Sequence, residues 1–93
     1  MVKHIVLFKL KNKKDIPEAV SALKGMTGKI EGLLDLEVGE DFLGSGRSYD
    51  IALYCTLTDR AALDAYQEHP VHLPVKKLMA ELREASVSCD YEI

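Results

Sequence analysis

A chain of 93 residues fits one domain, small enough that a second copy often supplies part of its stability. Hydrophobic residues make up 47%, too many for a disordered segment. The net charge of −3 argues against non-specific nucleic-acid binding, which needs basic groups to neutralise phosphates.

Val2 to Leu10 reads as a strand. His4, Val6, Phe8 and Leu10 fall on one face by the period-two rule; Lys3, Ile5, Leu7 and Lys9 fall on the other. Its centre is apolar on both faces, so both are expected to be covered. Asp15 to about Ile30 reads as a helix. Asp15 is placed to cap it, with Glu18 three residues on and Pro17 tolerated in the first turn. Ile16, Val20, Leu23, Met26 and Ile30 supply the buried stripe, while Gly25 and Gly28 weaken the second half.

Leu33 to Val38 alternates, with Leu34, Leu36 and Val38 on one face of a second strand. Leu43-Gly44-Ser45-Gly46-Arg47 is a turn, not a phosphate loop, because no helix start follows it. Tyr49 to Leu57 is the third strand. Its odd residues share one face; Asp50, Ala52, Tyr54 and Thr56 share the other. Asp59 caps a helix that Pro70 ends near His69. A last helix begins between Pro70 and Pro74 and carries Val75, Leu78, Met79 and Leu82 on one side. Ala85 to Ile93 is the fourth strand, with Val87, Cys89, Tyr91 and Ile93 expected inward and Ser86, Ser88, Asp90 and Glu92 outward.

The order β-α-β-β-α-β is that of ferredoxin-like α+β folds, with the first strand between the third and the fourth. Helices cover one face of such a sheet. The other keeps apolar residues without cover, so a homodimer through the sheet face is expected. Cys55 and Cys89 then stand two strand spacings apart, roughly 9–10 Å, too far for a disulfide. They show no metal-ligand spacing, which suits reduced thiols in the cytoplasm. The run Ile5-Val6-Leu7-Phe8 is too short for a secretory signal, and no stretch approaches a membrane span. The lysines at 9, 11, 13 and 14 read as solvated charge on a strand end.

Imidazole titrates nearest neutrality, so the histidines are the first candidates for proton transfer. Two fall in the run Tyr66-Gln67-Glu68-His69-Pro70-Val71-His72; the third, His4, lies on the first strand. His72 as base, His4 as its partner, Tyr66 as hydrogen-bond donor and Asp50 as the group orienting His4 make a candidate site, provided Asp50 faces the way His4 does. In the plainer reading His4 is a satisfied inward histidine and His72 a helix-start residue bonding local backbone. His69, at a helix C-terminus, reads as structural. A zinc site from His4, His69 and His72 lacks any signature spacing.

Four stretches together resemble the stress-responsive A/B barrel (Dabb) domains over nearly the whole chain. They are the opening Val2-Lys3-His4-Ile5-Val6-Leu7-Phe8-Lys9, Tyr49-Asp50 entering an apolar strand, Ala65-Tyr66-Gln67-Glu68-His69-Pro70-Val71-His72, and Cys89-Asp90-Tyr91-Glu92. The resemblance implies a dimeric α+β barrel, in which two ferredoxin-like sheets close around a shared interior. The family includes a plant polyketide cyclase, olivetolic acid cyclase, which closes a poly-β-keto thioester by aldol condensation without metal or organic cofactor. Its strand-one histidine corresponds to His4, its helix-junction histidine to His72 and its tyrosine to Tyr66. It has a histidine where this chain has Asp50. The expected function is binding of a small carbonyl-containing molecule, with cofactor-independent lyase or cyclase chemistry at that site. Two other classes stay open: a non-catalytic stress or assembly protein, and a cofactor-free monooxygenase of the related barrel type.

Overall fold

The computed structural model describes residues 1–93. Strand β1 (Val2–Leu10) leads through a 3-10 turn at Lys13–Asp15 into helix α1 (Ile16–Lys24). Strands β2 (Leu33–Glu40) and β3 (Ile51–Leu57) follow, then helices α2 (Arg60–Gln67) and α3 (His72–Leu82), and strand β4 (Arg83–Glu92). The strands form one antiparallel sheet in the order β2-β3-β1-β4, so the ferredoxin-like topology holds, with its second helix broken in two at Pro70. No helix is long and apolar enough to cross a membrane.

The core lies between the sheet and the helices. Val2, Phe8 and Leu10 of β1 and Ile51, Leu53, Cys55 and Leu57 of β3 meet Leu23 of α1, Tyr66 of α2 and Met79 of α3. Fully burying an aliphatic side chain such as Leu23 or Leu57 stabilises by about 1.5–3 kcal/mol. His4 shares this face, opposite Cys55.

Four local expectations change. First, α1 stops at Lys24, because Gly25 and the left-handed Gly28 (φ 74°) end it, although Met26 and Ile30 stay buried. Second, Asp15 makes no side-chain cap, since the 3-10 turn already delivers the chain in helical geometry; Asp59 does cap α2, accepting from the Ala62 amide at 2.8 Å. Third, a bulge in β2 sets Leu33 opposite Leu57 and Asp35 opposite Thr56, so Leu34 turns out to solvent. Fourth, β4 is turned over. Ser86, Ser88 and Asp90 pair with Phe8, Val6 and His4, and paired residues share a face. Val87, Cys89 and Tyr91 therefore lie on the side away from the helices.

That second face carries Ile5, Leu7, Ala52 and Tyr54 beside Val87 and Cys89, and Leu7, Val87 and Tyr91 are exposed. It is graded. Asp35, Thr56, Lys3 and Tyr91 form a polar row at one end; Gly39, Ala52, Leu7 and Val87 form an apolar row at the other. The Lys3 ammonium donates to Thr56 Oγ1 at 2.9 Å and lies 5.3 Å from the Tyr54 ring centroid. Cys55 and Cys89 are free thiols on opposite faces of the sheet.

Candidate functional site

Tyr66 stands in the last turn of α2, where backbone carbonyls have no further helix to bond. The Tyr66 carbonyl takes two donors instead: the His69 amide at 3.2 Å and the ring of His72 at 3.0 Å. The turn at Pro70 folds α3 back so that its first residue, His72, reaches that carbonyl. A carbonyl oxygen can only accept, so His72 donates from Nδ1 and keeps a bare lone pair on Nε2.

His4 is held from the other side. Asp90 stands opposite it in register on β4, and the Asp90 carboxylate bonds His4 Nδ1. The carboxylate fixes the ring orientation and leaves Nε2 as the free nitrogen of this imidazole.

Tyr66 lies between the two. Its ring stacks on His72, 4.2 Å between centroids at 16°, and meets His4 edge-on at 5.7 Å. His4, Tyr66 and His72 line one cavity of about 300 Å³, walled by Val6, Phe8, Leu53 and Met79. His4 is 6% exposed, His72 9% and Tyr66 0%. Burial pushes the His72 pKa below its ordinary value; the Tyr66 and Gln67 carbonyls oppose that, and the nearby Lys76 and His4 reinforce it. His72 is therefore a neutral imidazole at physiological pH. A neutral base with a free lone pair beside a small, largely apolar cavity is equipped to take a proton from a bound molecule.

The Tyr66 hydroxyl is sealed inside and finds no hydrogen-bond partner. Burial pushes its pKa up strongly. The Cys55 thiol beside it adds to that shift, although the contact falls outside hydrogen-bond geometry. Burial likewise pushes the Cys55 thiol up to about 11.

The sheet brings His4, Tyr66 and His72 together but leaves Asp50 out. Asp50 lies just before Ile51, which pairs with Phe8, so it stands five residues, roughly 17 Å, along the strands from His4. Its buried carboxylate accepts from the Leu10 amide at 2.8 Å, and Lys13 Nζ approaches it at 3.7 Å. The carboxylate that orients His4 is Asp90, hidden from sequence reading by the face expected of β4. His69 is structural in a different way from the one expected: its Nδ1 accepts from the Val71 amide at 3.0 Å, and its carbonyl receives the first amides of α3. No three His, Cys, Asp or Glu side chains converge as a metal-binding group.

A family model for the stress responsive A/B barrel domain matches residues 2–93. An uncharacterised protein of Streptomyces coelicolor is 34% identical over 99% of both chains. A dimeric protein of unknown function and ferredoxin-like fold from Bacteroides fragilis is 32% identical, with a TM-score of 0.82 over 99% of this chain and 95% of that one. A second such dimeric protein, from Jannaschia, is 30% identical over 99% and 98%, with a TM-score of 0.79. A hydroxynitrile lyase from Passiflora edulis, 19% identical, shares the fold over 99% of this chain and 92% of its own, with a TM-score of 0.85. The match spans every element from β1 to β4, and the chain belongs to the stress-responsive A/B barrel (Dabb) family.

Proposed function

We propose that this protein binds a small carbonyl compound beside His72 and acts on it as a cofactor-independent lyase or cyclase. One observation carries the reading: two imidazoles, each tied at Nδ1 to a fixed acceptor, flank one buried ring at the edge of one cavity. His72 Nε2 takes the proton from carbon next to the carbonyl, and the C–H electron pair moves onto the carbonyl oxygen. His4, held at Nδ1 by Asp90, donates Nε2–H to that enolate oxygen when its ring carries the second proton. The enolate carbon then attacks a second carbonyl of the same molecule, and the alkoxide recovers the proton from His72. Run backwards, the same steps cleave the bond. No oxidant or reductant is consumed. Tyr66 acts through its ring, which fixes both imidazoles; its hydroxyl, sealed beside Cys55, is not the donor expected from sequence.

Supporting this, the solved Passiflora edulis protein of the same fold is a hydroxynitrile lyase, so in that protein the scaffold carries lyase chemistry. The test is deuterium incorporation into a 3-oxo thioester between its two carbonyls. Incorporation should exceed the buffer rate and fall to it in His72→Ala, with a smaller loss in Asp90→Asn. Rates unchanged in both His4→Ala and His72→Ala would end the proposal.

The same reading includes a homodimer closed through the open sheet face, as the dimeric relatives and the exposed Leu7 and Val87 favour. Sedimentation should give about twice the 10.4 kDa chain mass. Leu7→Lys should yield a monomer. The two unpaired thiols fit the reducing cytoplasm.

A further inference from the structure

The cavity beside His72 has an uneven charge. None of its lining residues is acidic, yet Lys76 and Arg83 both line it and both are exposed, so they stand at its mouth. Neither takes part in any ion pair of the molecule. Arg83 donates only to Ser86 Oγ, which aims the guanidinium along β4. Lys76 follows His72 by one helical turn on the same face of α3, close enough for its charge to act on the imidazole.

The rest of the lining is ordered as well. Ser88 stands opposite Val6 and Ser86 opposite Phe8, so one side of the cavity floor carries hydroxyls and the other is apolar. From His4 to Phe8 the floor runs four residues, roughly 13 Å. The volume, about 300 Å³, is at the lower end for small-molecule sites. Such a site suits a short molecule with a reactive end, an apolar middle and an anionic tail.

We infer that the cavity takes a small oxo acid, its carboxylate held by Lys76 and Arg83 at the mouth and its carbonyl end set against His72 and His4. The inference rests on the reading of His72 as the base and adds the class of substrate to it. The two cations do two things. They recognise the carboxylate by charge-assisted hydrogen bonds, and they fix how deep the chain enters, so that the carbon to be deprotonated meets Nε2.

The experiment uses two matched probes, 5,7-dioxooctanoate and its neutral N-methyl amide, which carry the same 1,3-diketone. Affinity is read by calorimetry, and ionisation of the bound diketone by its enolate ultraviolet band. The wild type should bind the acid about tenfold more tightly than the amide, the size of one charge-assisted hydrogen bond. Lys76→Gln/Arg83→Gln should bring the two affinities to within about twofold, its core NMR spectrum showing that it is folded. The two claims fail separately. Equal affinity for acid and amide in the wild type, with both enolised, overturns the anion site and keeps the base. A clear preference for the acid without an enolate band keeps the anion site and removes the base. Binding of neither probe overturns the anion site.

Discussion

The ring of His72 lies flat on the ring of Tyr66, 4.2 Å between centroids, while its Nδ1–H bonds the carbonyl of that same tyrosine. One residue thus sets the position, tilt and tautomer of the imidazole. The buried ring resists a proton, and two consequences share one pH window. In the unfolded chain this histidine titrates near 6.5; in the folded protein it titrates lower. As pH falls below about 6.5 the unfolded state binds a proton that the folded state refuses, so stability is lost on acidification and is flat above that value. Urea unfolding of wild type and His72→Phe between about pH 7.5 and 5.5 should show a steeper acid loss in the wild type. The base itself should stay active to a pH below the usual histidine midpoint.

Tyr66 offers a test of burial without a partner. An unsatisfied hydroxyl in the core contributes nothing that offsets its desolvation. Tyr66→Phe should leave stability unchanged or raise it by up to about 1 kcal/mol. Tyr66→Ala should cost about 3–5 kcal/mol, since it opens a void under both imidazoles. Urea midpoints decide, and a Tyr66→Phe loss above about 1 kcal/mol would mean that the hydroxyl has a partner after all.

Asp50 should matter to the fold and not to the site. Asp50→Ala leaves the Leu10 amide buried without an acceptor and should cost about 2 kcal/mol. The imidazole NMR resonances of His4 and His72 should stay in place. Movement of the His4 resonances would place Asp50 back in the site.

The two thiols report on opposite faces. Thiolate is the reactive form, and Cys55 is both buried and shifted to about 11, so a disulfide reagent should reach it only on unfolding. Cys89 is open in the single chain and central to the face proposed for the dimer. Its labelling should slow as protein concentration rises. A rate independent of concentration would put the dimer elsewhere.

The element order was legible in the sequence, because alternation, Pro70 and the capping Asp59 act over a few residues; the strand order followed from the β-α-β-β-α-β pattern, and the grouping of His4, Tyr66 and His72 from the resemblance to the Dabb domains. The faces were less so. Alternation in β4 separates Val87, Cys89 and Tyr91 from Ser86, Ser88 and Asp90, but it does not say which set meets the helices. The apolar set would ordinarily be chosen for the core; here it lines the uncovered face, and the polar set floors the cavity. That single inversion hid Asp90 and left Asp50 as the visible carboxylate. Leu34 failed for a related reason, since a bulge shifts register in a way no two-residue rhythm records.

His4 and Asp90 are 86 residues apart in sequence, yet they are neighbours in the sheet. During synthesis β1 emerges first and waits for both of its strand partners. Until β4 has been made and has docked along it, His4 has no carboxylate and the cavity lacks its hydroxyl floor. The hydroxyl floor of the cavity and the oriented imidazole therefore both depend on the last strand of the chain, and a chain cut before β4 has neither.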